Sequence, residues 1–132
     1  MILLDTHVLV WMVSSPSELL SRAATREIRK AQREGGCAIA SISLWALAVL
    51  FAKGRLRASG TVEGSIPEIV DSAEVSVLEI TPDIAGLAVA FPEPYPKDPG
   101  DRLIGATARA RGITLITQDE RILASPLVRS IW

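Results

Sequence analysis

Four aspartates are the residues best placed to do chemistry in this chain. Asp5 directly follows the apolar run Ile2-Leu3-Leu4, and Asp119 follows Ile113-Thr114-Leu115-Ile116 after Thr117 and Gln118. Asp98 and Asp101, at a spacing of three, share one side of the first turn of a helical pattern. Carboxylates brought together repel and raise one another's pKa, so a cluster of them needs a counter-charge. With His7 the only histidine and Cys37 the only cysteine, a two-histidine site, a thiolate cage and an internal disulfide are all excluded. Hard oxygen donors then point to Mg²⁺ or Mn²⁺. Such ions neutralise phosphate oxygens, orient a water and lower its pKa, which is the equipment for phosphodiester hydrolysis.

Each acid also has a plainer reading. Asp98-Pro99-Gly100-Asp101 is a good helix start, with an Asp N-cap, Pro at N1 and an acid at N3. Asp5-Thr6 equally suits a cap. Thr6 and Thr117 can hydrogen-bond the carboxylates or a metal's waters, or merely cap. His7, alone in an apolar stretch, reads as a hydrogen-bonded structural residue, and Trp11, Trp45 and Trp132 as core or interface aromatics. Arg22, Arg26, Arg29 and Arg33 form one stripe on a helix, opposite Leu20, Ala24, Ile28 and Ala31. That stripe is either a solvated face or a set of phosphate contacts. Lys53, Arg55 and Arg57 make a second basic group in a loop.

The acids matter only if the fold gathers them. Ile2-Leu3-Leu4, Cys37–Ala40, Val75–Ile80, Ile113–Ile116 and Val128–Ile131 read as strands. Helical patterns fall between them: His7–Val13, Glu18–Glu34 after the punctuation Ser15-Pro16-Ser17, and Leu44–Lys53. Ser41 or Ser43 should cap the last of these and Gly54 should close it. Being apolar nearly all round, it should lie deep in the core. Arg55–Ser65 reads as a polar loop, Ile66–Ala73 as a short helix, Pro82–Phe91 as another, and the prolines at 92, 94, 96 and 99 as a stiff loop. Helices over Asp98–Arg111, stopped by Gly112, and Glu120–Ala124 complete the pattern. Strand and helix in alternation predict one open α/β domain over residues 1–132, a parallel sheet with helices on both faces. In such a sheet the site lies beyond the carboxyl ends of the strands. If the first and fourth strands are neighbours, the acids converge there.

Composition sets outer limits. A chain of 132 residues, 48% hydrophobic, can bury a core and is too short for two ordinary domains. Fourteen Lys and Arg against fifteen Asp and Glu leave a formal charge of −1, which excludes a uniformly basic nucleic-acid coat. The N-terminus lacks the basic region and cleavage site of a signal peptide, and no run approaches the roughly 18–20 apolar residues of a membrane span. A cytoplasmic protein without membrane association is expected.

The motifs together resemble a known family. Leu4-Asp5-Thr6-His7-Val8-Leu9-Val10-Trp11 is similar to the opening motif of PIN-domain ribonucleases, in the VapC toxin branch of type II toxin–antitoxin pairs. Ser41-Ile42-Ser43-Leu44-Trp45 with Lys53-Gly54-Arg55-Leu56 resembles the second block. Asp98-Pro99-Gly100-Asp101-Arg102-Leu103-Ile104 resembles the third, Leu115-Ile116-Thr117-Gln118-Asp119 the fourth, and the closing Ile131-Trp132 is typical. The resemblance implies a three-layer α/β domain with five parallel strands flanked by helices. It implies a homodimer, Mg²⁺- or Mn²⁺-dependent cleavage of RNA, and inhibition by a small antitoxin that blocks the acidic pocket. It assigns catalysis and metal binding to Asp5, Asp98, Asp101 and Asp119, with Asp101 a closer ligand than Asp98. Thr6 and Thr117 are expected to support these acids, and the basic residues Lys53, Arg55, Arg57 and Arg102 to contact RNA.

One position departs from the family pattern. After Ser-Leu-Trp the family has Glu, and this chain has Ala46, with no acid between Glu34 and Glu63 to replace it. Losing that capping-box residue to Ala should cost the helix only a few tenths of a kcal/mol to about 1. Losing a ligand weakens capture of a divalent ion, so the resemblance implies an impaired nuclease, by deliberate substitution or natural loss. The alternative is a non-catalytic scaffold that binds RNA or sequesters an antitoxin. A phospho-accepting receiver domain is set aside, because Asp5 has no acidic neighbour and no Lys follows the last strand.

Overall fold

The computed structural model describes residues 1–14 and 19–132, so Ser15-Pro16-Ser17 and the expected helix start at Glu18 lie outside the described residues. Five strands, β1 (Ile2–Leu4), β2 (Cys37–Ala40), β3 (Val75–Leu78), β4 (Thr114–Ile116) and β5 (Ser130–Ile131), form one sheet in the order β3-β2-β1-β4-β5. Every neighbouring pair is parallel. The first and fourth strands are therefore adjacent, with Leu4 opposite Ile116.

Side chains alternate between the faces of the sheet, and each face is covered. Ile2, Leu4, Ile39 and Ile116 pack under α1 (Thr6–Val13), α2 (Arg22–Arg33), α3 (Ile42–Ala52) and α4 (Val62–Ala73). Leu3, Ala38, Ala40 and Leu115 pack under α5 (Pro82–Ala90), α6 (Pro99–Arg111) and α7 (Glu120–Leu123). The result is the three-layer α/β fold. Burial on both faces is why the central strands read as unbroken apolar runs.

Several boundaries differ from the sequence reading, each for a local reason. Helix α2 starts at Arg22, because the Ser21 hydroxyl accepts from the Ala24 N–H at 3.0 Å. Residues 62–65, expected in a loop, are helical: the Thr61 hydroxyl accepts from Gly64 N–H, and Ser65 Oγ donates back to the Thr61 carbonyl. Pro67 therefore sits inside α4 rather than near its start. Strand β3 stops at Leu78 because its partner β2 stops opposite, at Ala40. Strand β5 is Ser130–Ile131 only.

Helix α3 departs most. Neither Ser41 nor Ser43 caps it with a side chain; Ser41 is already in the right-handed helical region, and Ser43 is buried inside the helix. Gly54, at φ +72°, closes it as expected. The helix does not lie deep in the core: Ser43, Leu47 and Phe51 are its only buried residues, and Trp45 is 67% exposed.

Candidate active site

The acids stand where β1 and β4 end. The Asp5 N–H donates to the Ile116 carbonyl at 3.0 Å, which fixes the end of β1 to the end of β4. Asp5 then caps α1, with Oδ1 accepting from the Thr6 N–H at 2.8 Å. Its other oxygen, Oδ2, accepts from the Thr117 hydroxyl at 2.7 Å. That hydroxyl, fully buried, also accepts from the Asp119 N–H at 3.1 Å. Asp119 caps α7 through the Arg121 and Ile122 N–H groups. Asp98 caps α6, with Oδ1 accepting from Gly100 N–H at 2.7 Å and from Asp101 N–H at 3.4 Å. The two readings of the acids thus coincide, since three of the four are helix caps and all four face one place.

That place is an open cavity of about 460 Å³, lined by Asp5, Asp98, Asp101 and Asp119 with His7, Val8, Trp11 and Gln118. Asp101, set in the first turn of α6, registers the crowding most strongly. Burial first, then the charges of Asp5, Asp98 and Asp119, raise its carboxyl from the ordinary 3.8 to about 6, and Arg121 offsets only part of this. Arg121 itself is exposed and lies 3.9 Å from Asp119 Oδ1. Such a surplus of negative charge suits a divalent cation held by hard oxygen donors. As placed, however, the described residues contain no three-ligand His, Cys, Asp or Glu cage. Asp5, Asp98 and Asp119 each turn a carboxylate oxygen toward their own helix N–H groups.

Ala46 belongs to this region. It lines an adjoining apolar groove of about 620 Å³ together with Asp5, Asp98 and Asp101, and with Trp45, Val49 and Leu50 of α3. The departure from the family pattern is therefore beside the acids.

Other expectations change. The Thr6 hydroxyl turns away from the carboxylates and donates to Ser43 Oγ at 2.8 Å, in a buried pair that ties α1 to α3; its backbone N–H is what serves Asp5. Arg102 is structural, donating to the carbonyls of Ala88 at 3.0 Å and Phe91 at 2.7 Å, which commits its guanidinium to the end of α5. Lys53, Arg55 and Arg57 are exposed beyond the far end of α3 and line neither the acidic cavity nor the adjoining apolar groove. His7, read as a hydrogen-bonded structural residue, is exposed at the cavity rim, tilted against Trp11 at 6.0 Å between ring centroids, and Trp11 meets Trp132 at 5.7 Å.

Sequence reasoning passed over Tyr95. Its ring is buried 4.5 Å from Phe91, and its hydroxyl donates to the Asp101 carbonyl at 2.8 Å, bracing the turn that carries Asp101. The signal was Gly105, a poor residue for a helix interior. A Cβ there would collide with the Tyr95 hydroxyl and ring. Ser43, expected as a candidate cap, is instead the acceptor of the Thr6 hydroxyl, and Gln118, read only as part of a motif, lines the acidic cavity.

Comparison with known proteins accords with this geometry. The PIN domain family model matches residues 2–125. The chain is 38% identical to ribonuclease VapC22 of Mycobacterium tuberculosis over 99% of its own length and 98% of that protein's. Among solved structures it resembles a chain of a toxin–antitoxin complex from Klebsiella pneumoniae, at 21% identity and a TM-score of 0.67, covering 100% of this chain and 97% of that one. It also resembles a chain of VapBC2 from Rickettsia felis bound to a promoter DNA fragment, at 14% identity and a TM-score of 0.71, covering 99% and 98%. At those identities the structures speak for the fold, and the family match with the full-length relative settles the lineage: this chain belongs to the PIN domain family.

Proposed function

We propose that the chain is a divalent-cation-dependent endoribonuclease toxin, held in check by a small antitoxin and weakened by Ala46. The observation that carries this reading is the convergence of Asp5, Asp98, Asp101 and Asp119 on one open cavity at the ends of β1 and β4. A full-length relative named as a ribonuclease supports it. Asp101, Asp5 and Asp119, with Asp98 at the rim, would hold Mg²⁺ or Mn²⁺, which when bound neutralises phosphate charge and lowers the pKa of a water. Thr117 holds Asp5 and the backbone of Asp119 in register through one hydroxyl. The Tyr95 hydroxyl steadies the backbone of Asp101. His7 and Trp11 offer aromatic faces at the rim, on which a base beside the scissile phosphate can stack.

The groove lined by Ile42, Trp45, Val49 and Leu50 runs into the same acids. A segment of antitoxin laid along it would cover Trp45 and close the cavity. Relatives of this fold solved within toxin–antitoxin complexes support that partner. A homodimer belongs to the same reading.

Ala46 and the lack of a three-ligand cage among the described residues favour a second reading, a scaffold that binds RNA or antitoxin without cutting. RNA cleavage with Mg²⁺ or Mn²⁺ by the chain and by Ala46→Glu separates the two. Restoring the carboxylate should raise the rate by roughly the 10–100-fold that even outer-shell metal partners command, or more. Equal rates in the two forms contradict the proposed impairment, and no cleavage by either leaves the scaffold as the better account.

A further inference from the structure

The acidic cavity creates a difficulty for an RNA substrate, because four carboxylates repel the polymer they are proposed to cut. An attractive surface elsewhere must offset this, and α2 supplies one. Its Ala24, Ile28 and Ala31 are buried, while Arg22, Arg26, Arg29 and Arg33 are exposed. Those four side chains line one open groove of about 400 Å³ with Leu20 and Thr25. Among the described residues the ion pairs are Lys97–Glu93 and Arg121–Asp119, so no described carboxylate neutralises the stripe. With Lys30, α2 carries five positive residues against Glu27, in a chain whose formal charge is −1. The concentration of charge is local and directed along a line.

We propose that the arginine stripe of α2 is a docking track for the phosphates of single-stranded RNA, separate from the cleavage site. The inference rests on the ribonuclease reading for its ligand. From Arg22 to Arg33 the helix rises about 16 Å. At roughly 3.4 Å per phosphate in a stacked strand, this is room for about five nucleotides. Guanidinium groups bind phosphate through paired N–H donors, which suits Arg better than Lys for such a track. The direction is favourable too. Helix α2 leads into the amino end of β2 through Gly35 and Gly36, so Arg33 lies toward that edge. Arg22 then lies toward the opposite, carboxyl edge of the sheet, on which the acidic cavity opens.

The test is equilibrium binding of polyuridylate, polyadenylate and a trinucleotide, across a range of salt concentrations, in the presence of a chelator. It compares the chain with Arg26→Gln/Arg29→Gln and with Arg26→Lys/Arg29→Lys. The Gln pair should bind both polymers more weakly and to a similar degree, with the slope of log affinity against log salt shallower by about 0.7 per arginine removed. The Lys pair should keep most of that slope, and the trinucleotide, with too few phosphates to span the stripe, should lose less affinity than the polymers. Polymer affinity and slope unchanged in the Gln pair would overturn the track. So would loss of binding to polyglutamate with RNA binding intact, which would mark an acidic protein segment as the occupant. Because binding is read without metal, it is independent of cleavage. An Ala46→Glu protein that fails to cut RNA while the stripe still binds it refutes the nuclease and leaves the track standing.

Discussion

Thr117 joins two halves of the site with one buried hydroxyl, donating to Asp5 and accepting from the Asp119 backbone. Thr117→Val keeps the shape and removes both bonds, leaving the Asp119 N–H without its acceptor. The expected loss is about 1–3 kcal/mol of stability by denaturant unfolding, larger than an exposed threonine would show. Asp101 makes a different prediction. Its folded carboxyl titrates near 6, above its ordinary 3.8, so the protonated form is the one that folding favours. The stabilising share of that proton is complete below about pH 4 and is lost as pH rises through 6. In chelator, the melting temperature at pH 5 should exceed that at pH 7 by more in the chain than in Asp101→Asn. Equal differences in the two proteins would show that the carboxylate is not crowded. Ala46 works in the opposite sense, since restoring Glu adds a fifth carboxylate and so costs metal-free stability while strengthening ion capture.

At the scale of elements, the strand ends that lead to Asp5 and Asp119 were legible because each is marked twice. An apolar run stops at an acid, and the acid is a residue type that caps the next helix. The Asp98-Pro99-Gly100-Asp101 start and the Gly112 stop of α6 are legible on capping chemistry alone, with no apolar run before them. What hides from sequence is a contact made at a distance. Tyr95 lies in a proline-rich stretch that reads as a spacer, yet it wedges against α6 at Gly105. Gly105→Ala accordingly tests that wedge. Helix propensity alone predicts a gain of about 0.5–1 kcal/mol from such a change. The crowding predicts instead a net loss of about 1–3 kcal/mol, measured by urea unfolding. The start of α4 was hidden by Pro67, which resembles a first-turn proline, and by a threonine cap that sequence does not separate from a turn. Helix α3 misled through composition. An apolar helix is buried by something, and its sequence does not say whether that is its own core or another chain, so Trp45 stands in solvent.

The whole molecule is a polarised object whose net charge of −1 conceals the arrangement. Acids gather beyond the carboxyl edge of β1 and β4, arginines line one helix, and an apolar groove along α3 opens onto the acids. The described residues contain no helix long and apolar enough to cross a membrane. The central claim is that the four aspartates form a divalent-cation site, and a crystal of the Ala46→Glu protein soaked in Mn²⁺ tests it most directly. The account predicts an anomalous scattering peak bonded to oxygens of Asp5, Asp101 and Asp119, with those carboxylates turned from their helix N–H groups toward the ion. Asp5, Asp98 and Asp119 still seated in their caps, with no peak between them at saturating Mn²⁺, would contradict it.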